Sequence, residues 1–157
     1  MREILFRGKR KDNGEWVEGY LGQDTIIGNG KTWLGYVIKP IPKKLWDFGW
    51  FEIDPATIGQ YTGLTDKNGK RIFEGDVYQY FDDEIQVVEW SEDFSRIMLH
   101  SHGEHEVKNG RKMIKVKHDG WCDLDDYPLE EMEYLGNVHD NPELIGDDRR
   151  KEGDSIC

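Results

Sequence analysis

The sequence predicts a mainly β protein of short antiparallel strands, arranged as a small barrel or a sandwich. The dipeptide Asn-Gly, which tolerates the positive φ angles of the tightest hairpin turns, occurs four times between strand-like runs. Aromatic residues make up 12 % of the 157 residues and glycine contributes 18, a composition that favours strands and turns. Helical periodicity is nearly absent. Short strands separated by frequent turn signals are typical of small β folds.

Two hairpins are predicted in the N-terminal part of the chain. The Asn-Gly pairs at residues 13–14 and 29–30 each stand between runs of β-branched and aromatic residues. Pro40-Ile41-Pro42 ends this region, because proline cannot donate a hydrogen bond within a central strand ladder. The expected strands cover residues 4–7, 16–21, 25–27 and 32–38.

Further strands and two helical turns are predicted in the second half. The Asn-Gly pairs at residues 68–69 and 109–110 are expected to form turns, and Asp82-Asp83 another. In the last helical turn Asn141 is expected to act as the cap, with Pro142 at the first helical position. The expected strands cover residues 70–73, 77–81, 84–90, 96–100, 105–107 and 113–117, and the helical turns cover 128–132 and 141–144.

An irregular aromatic segment follows the first two hairpins. Between residues 43 and 54 it carries Trp46, Phe48, Trp50 and Phe51. Aromatic patches on small barrels serve as surfaces for protein partners or for subunit packing. The alternative is that these side chains cover an open end of the barrel.

Charge is distributed unevenly along the chain. The formal net charge is −11, and most of the excess of acidic residues lies in residues 46–107. Such a surface opposes unspecific binding to phosphates, which requires clustered Lys and Arg. A solvated acidic surface that aids solubility is the simplest interpretation. The charged tail, residues 146–157, has no apolar periodicity and is expected to be disordered.

The sequence also bears on the compartment. No stretch approaches the roughly 18 consecutive apolar residues of a spanning helix, and the start lacks the apolar run of about 7–15 residues of a signal peptide. Cys122 and Cys157 cannot form a disulfide framework. We therefore expect a cytoplasmic protein with reduced thiols and no membrane contact.

Two strings and the start of the chain are distinctive. The first string spans residues 54–77 and contains Gln-Tyr-Thr-Gly-Leu, Asp-Lys-Asn-Gly-Lys and Glu-Gly-Asp-Val; the second spans residues 134–145, and the chain opens with Phe-Arg-Gly-Lys at residues 6–9. These strings resemble those of the YopX family, a family of small proteins encoded by phages and prophages, mostly of Gram-positive bacteria. The motif positions are Gln60, Tyr61, Thr62, Gly63, Asp66, Asn68, Gly69, Glu74, Gly75, Asp76, Gly136, Asn137, Asn141 and Pro142.

The resemblance implies a fold and a domain organisation. It implies an SH3-type barrel and self-association, with a trimer as one option, but no catalytic residue and no cofactor. The expected domain covers residues 1–145. Its parts are an N-terminal hairpin region with the aromatic connection (1–58) and the barrel (59–145), with a variable insert at about 91–130.

The motif also has a physical interpretation of its own. Gly63 stands where a strand must bend, Gly75 can supply a bulge, and Asp66 can accept from backbone N–H groups two residues on. The motif is thus expected to fix the backbone. The functional alternative is that exposed Tyr61, Asp66 or Glu74 contacts a partner.

One cluster has residue types that bind metals. His100 and His102 would lie on the same side of a strand, and His105 could complete a site with Glu104 or Glu106. Against a site, Gly103 suggests the end of a hairpin. We expect no bound metal, and keep these three histidines as the alternative.

The leading functional hypothesis is a non-enzymatic, phage-derived recognition or assembly protein that acts through self-association and contacts with host or phage proteins. No spacing typical of a Ser-His-Asp or Cys-His nucleophilic site is recognisable. Two alternatives stay open: a barrel that binds nucleic acid, and an acidic mimic that occupies a basic host protein. In the former, the N-terminal segment would act with basic residues of the insert, Lys108, Arg111, Lys112, Lys115 and Lys117.

Overall fold

The computed structural model describes residues 3–41, 49–80, 84–124 and 129–145, with backbone only for 103–109 and 112–119. Its strands are β1 (Phe6–Lys9), β2 (Trp16–Gly28), β3 (Lys31–Pro40), β4 (Phe51–Glu52), β5 (Gly59–Thr65), β6 (Arg71–Phe73), β7 (Asp76–Tyr80), β8 (Glu84–Ser91), β9 (Arg96–Asn109), β10 (Lys112–Cys122) and β11 (Glu133–Asn137). Three 3₁₀ turns cover Pro55–Thr57, Leu129–Glu131 and Pro142–Ile145. The prediction of a mainly β protein is therefore confirmed.

The chain divides into two compact units, Met1–Leu64 and Thr65–Cys157. Within the first unit the strands lie in the order β4-β3-β2-β1-β5, and within the second in the order β10-β9-β8-β7-β11. The pairings of β1, β2 and β3, and those of β7, β8 and β9, are antiparallel. Among the described residues β10 and β11 end the second sheet without pairing to each other, so the strand pairing does not form a closed barrel.

Each unit has its own apolar core. In the first unit Val17, Ile38 and Ile53 are buried together, with Phe6, Leu21, Phe51 and Ile58 packed against them. In the second unit the fully buried hydrophobic side chains lie on β6 to β9 and beside the second 3₁₀ turn: Ile72, Phe73, Val77, Tyr78, Val87, Val88, Leu99 and Met132. None of the helical turns in the described ranges has the length or hydropathy that crossing a bilayer requires.

The Asn-Gly pairs differ in how they turn the chain. Asn29 and Gly30 have φ angles of 50° and 72° and join β2 to β3 directly, which confirms the predicted two-residue hairpin. At Asn109-Gly110 the predicted position of the turn is wrong by one residue. There Asn109 still pairs with Lys112, so the turn consists of Gly110 and Arg111.

Two further local predictions are corrected by the structure, and two others concern residues that it does not describe. Gly103 lies inside the long strand β9 and does not end a hairpin. Gly75 lies in the turn before β7, and the bulge occurs instead between Tyr134 and Gly136 of β11. The predicted Asp82-Asp83 turn and the tail from residue 146 lie outside the described residues.

Candidate functional site

The longest hairpin of the first unit extends beyond the strands that flank it. β1 pairs with β2 only as far as Gly19, and β4 pairs with β3 only at Val37 and Ile38. We call the outward part of this hairpin, residues 20–36, the arm. Within the described residues, Asp24 to Gly35 form a two-stranded ribbon with two open edges, whereas the Tyr36 carbonyl still accepts from Ile53 N–H at 2.9 Å.

One face of the arm continues the core of the first unit outward. Side chains alternate between the faces of a strand, so the register places every second residue of β2 beside every second residue of β3. Val17 and Ile38, which lie on this face, belong to the buried cluster. We call its outer part the bare face: Leu21, Gln23, Thr25, Ile27, Thr32, Leu34 and Tyr36.

The bare face is uncharged and largely exposed, and four of its seven side chains are apolar or aromatic. Within the described residues of the arm, all seven of its positions lack a charge. Ile27 is 79 % exposed and Leu34 68 %, and Tyr36 is also exposed. Scattered apolar side chains at a surface are ordinary, but a contiguous exposed patch is typical of an interaction site.

The opposite face of the arm holds the charges and has packing of its own. Asp24 and Lys31 lie on it, and the indole N–H of Trp33 donates to Glu52 Oε1 at 2.8 Å. Lys11 Nζ lies 2.9 Å from the same oxygen. The indole hydrogen bond, and after it Lys11, lower the pKa of Glu52 below its ordinary value.

We expect the Trp33→Phe substitution to raise the pKa of Glu52 toward the ordinary glutamate value of about 4.3, because phenylalanine cannot donate the hydrogen bond. In the native protein this contact stabilises the fold above that value, and its contribution is lost as the pH falls through the lowered pKa of the folded state. Carboxyl titration by NMR measures the shift. Trp50→Phe is the control, and an equal titration midpoint in both variants would contradict the assignment.

The predicted aromatic surface is only partly described. Trp46 and Phe48 lie outside the described residues. Trp50 is exposed, whereas Phe51 packs against the core of the first unit and lies under the guanidinium of Arg10. Sequence reasoning missed the exposed side chains of the arm, because alternation alone does not show where the flanking strands end.

The turn between β5 and β6 is organised by Asp66. Its Oδ1 accepts from the backbone N–H groups of Asn68 and Lys70 at 2.9 and 3.0 Å, and Gly69 has a φ of 76°. Asp66 and Tyr61 are both buried, which opposes the functional alternative of exposed partner contacts at these two residues. The remaining motif residues of β5 are Gln60, Thr62, whose hydroxyl accepts from the Leu64 N–H, and Gly63, with a φ of 93°.

The Glu-Gly-Asp string joins several elements of the second unit. Gly75 N–H donates to the Val88 carbonyl at 2.7 Å, and its own carbonyl accepts from Val138 N–H at 2.8 Å. Asp76 is fully buried and accepts from Phe73 N–H at 2.9 Å through Oδ2. Glu74 lies beside Gly75 in the turn and is partly buried. The contacts of this string that join the elements of the second unit are therefore mostly hydrogen bonds to backbone groups.

The second string forms a turn after β11. Asn137 Oδ1 accepts from the N–H groups of His139 and Asp140, both at 3.0 Å. A side chain at Gly136 would overlap Asn141. Asn141 lies at the predicted cap position, since its backbone carbonyl accepts from Leu144 N–H at 3.1 Å, but its side-chain Oδ1 accepts from Asn137 N–H, which precedes the turn. Pro142 begins the last 3₁₀ turn.

The predicted histidine cluster is partly described. His100 and His102 lie near one another on β9, and Glu89 of β8 joins them. The side chain of His105, and those of Glu104 and Glu106, are outside the described residues. Sequence reasoning missed Glu89, because the contact depends on the pairing of two strands.

The basic residues expected to bind nucleic acid are described only in part. The side chains of Lys108, Lys112, Lys115 and Lys117 lie outside the described residues, and Arg111 is exposed at the turn after β9.

Comparison with known proteins gives a family for the chain. No curated protein sequence matches it. One solved structure that is similar is protein EF1440 from Enterococcus faecalis, with 20 % identity and a TM-score of 0.37 over 92 % of this chain and 99 % of that chain. The family model described as YopX protein matches residues 5–146, most of the chain. The protein therefore belongs to the YopX family.

Proposed function

We propose that this chain is a non-enzymatic assembly and recognition protein, whose copies associate through the bare face of the arm. The observation that carries the proposal is the exposure of Ile27 and Leu34 on a face that continues an apolar core. Removing apolar surface from water stabilises by about 25 cal/mol per Å². Covering such a face with another surface therefore lowers the free energy of the assembly.

A second copy of the chain is the partner that fits the uncharged bare face. With a net charge of −11, two copies repel one another over most approaches. The bare face has no charge to oppose the contact. A twofold contact between identical faces also needs no complementary partner, since the same patch serves both subunits.

The second unit supports a proposal about its architecture. β7 to β10 follow one another as an antiparallel meander, and after the 3₁₀ turn at Leu129–Glu131 the chain returns as β11 to pair with β7. This order is that of an SH3-type barrel, which we propose for this unit in agreement with the family resemblance.

The biological setting belongs to the same proposal. Family membership supports a phage or prophage origin and action in the cytoplasm of the host bacterium. The resemblance also allows three copies, and in a trimer the bare face would contact a different surface of the next copy, because a twofold contact closes at two copies. Host or phage proteins are expected to bind the assembled form.

Light scattering coupled to size exclusion tests the proposal with the Leu34→Glu variant. We expect the native protein to have a mass of at least two chains. Glutamate at the centre of the bare face should convert it to a monomer and weaken association at least a hundredfold, because a charge in an apolar interface must be desolvated. Far-UV circular dichroism verifies that the variant is folded.

Tyr20→Glu is the matched control, because Tyr20 is an exposed aromatic on the opposite face of the arm. It adds the same charge and should leave the mass unchanged. A native chain that is monomeric at high concentration would overturn the proposal, and so would equal masses for the native chain and Leu34→Glu. A monomer that binds single-stranded DNA at low salt, or a basic host protein, would favour one of the alternatives.

A further inference from the structure

Three metal-binding side chains meet on two paired strands of the second unit. In the register of β8 and β9, Val87 lies opposite His100 and Ile85 opposite His102. Since alternate residues share a face, His100, His102 and Glu89 lie on the same face of the sheet. Glu89 is diagonal to His100, a position that long side chains reach.

The three side chains are close in space as well as in register. One potential ligand atom from each lies within 4.8 Å of the other two. Nδ1 of His100 is 2.9 Å from Oε2 of Glu89, and the centroids of the two imidazole rings are 4.1 Å apart.

We propose that Glu89, His100 and His102 bind one divalent transition-metal ion, with Zn²⁺ as the best match. Two imidazoles and one carboxylate form a known three-ligand set for zinc, in which a water or a substrate takes the fourth position. Ca²⁺ and Mg²⁺ prefer oxygen ligands alone. Ligand distances of about 2.0–2.2 Å around zinc require the three atoms to lie closer together than the 4.8 Å within which they now stand.

The surroundings of the cluster suit an ion that enters from solvent. The His100 ring stacks on Trp121 of β10, with the planes 6° apart and the centroids at 4.2 Å, so its orientation is restrained before an ion binds. The His100 and Glu89 side chains are 16 % and 26 % exposed. They are therefore mostly desolvated, which strengthens binding, and still reachable.

The competing interpretation is that His100 and Glu89 form only a structural hydrogen bond. A structural pair would contribute to stability with no dependence on metal. A metal site predicts that zinc binds saturably and that binding requires His102. The two interpretations therefore predict different results. The inference does not depend on association through the arm.

Titration calorimetry with ZnCl₂ on the full chain, purified without a histidine tag, tests the site. We expect one ion per chain, with affinity at least tenfold weaker in Glu89→Gln and in His102→Gln. Co²⁺ should give the intense visible absorption of a four-coordinate ion in the native chain and not in His102→Gln. His139→Gln removes a histidine elsewhere in the unit and should bind zinc as the native chain does.

Thermal unfolding in EDTA separates loss of a metal ligand from loss of the fold. The affinity of a variant is compared with that of the native chain only if the two have similar melting temperatures in EDTA. If His102→Gln does not fold, Glu89→Gln gives the same information, because the amide keeps the size of the side chain. Dissociation constants weaker than about 1 mM (about −4.1 kcal/mol) overturn the proposal. Equal affinity in the native chain and both folded variants does the same, as does loss of binding in His139→Gln alone.

Discussion

The Gly19→Ala substitution is expected to destabilise the protein by about 3 kcal/mol, at the upper end of the overpacking range. Gly19 is buried in β2 and lies opposite Pro40 of β3. A methyl group there would overlap the carbonyl oxygen of Lys39 and stand 2.8 Å from the Cα of Pro40. Both obstacles are backbone atoms, so relief requires the two strands to separate at the base of the arm.

Gly22→Ala provides the matched comparison for this effect. Gly22 lies three residues further along the same strand, and a methyl group there would meet only the Val37 side chain, at 3.9 Å. We expect its free energy of unfolding to stay within about 0.5 kcal/mol of the native value. Urea denaturation measures both variants, and similar midpoints for the two would contradict the close backbone approach at Gly19.

Asp76→Ala is expected to cost about 3 kcal/mol, because a hydrogen bond to a charged acceptor is lost and a buried donor is left behind. The carboxylate is fully buried and accepts from Phe73 N–H at 2.9 Å. Lys70 Nζ lies 3.3 Å from the same oxygen, but Lys70 is 37 % exposed, so the ion pair contributes less than the backbone hydrogen bond.

Asp93→Ala is the control for Asp76→Ala, because Asp93 is exposed in the loop between β8 and β9. It removes the same charge from the same unit, and we expect a change within about 0.5 kcal/mol. Thermal unfolding followed by circular dichroism compares the two. Equal melting temperatures would show that Asp76 does not anchor the turn before β7.

Local backbone chemistry was the part of the fold that could be predicted from the sequence. The type of turn at Asn29-Gly30 depends on two residues that both tolerate positive φ, and the turn at Asp66 depends on a carboxylate with backbone N–H groups two and four residues on. Such interactions join residues that are near in sequence. At Asn109, however, the strand pairing continued one residue further than the dipeptide indicated.

The candidate sites depended on contacts that sequence alone does not specify. Glu89 reaches His100 because β8 and β9 pair in one register, and a shift by one residue would turn the side chains to opposite faces. Leu34 is exposed because the core that covers Ile38 on the same face does not extend along β3 to Leu34. Alternation indicated which residues share a face, but not which part of that face is buried.

The two open edges of the arm have a consequence for amide exchange. In an antiparallel pair, alternate residues point their N–H groups toward the other strand, so about half of the amide protons in residues 24–35 face solvent. These protons should exchange with deuterium quickly, and their neighbours in sequence slowly. Association through the side chains of the bare face would keep this alternating pattern, whereas edge-to-edge association would erase it along one strand. The labelling pattern thus tells which surface of the arm the second copy covers.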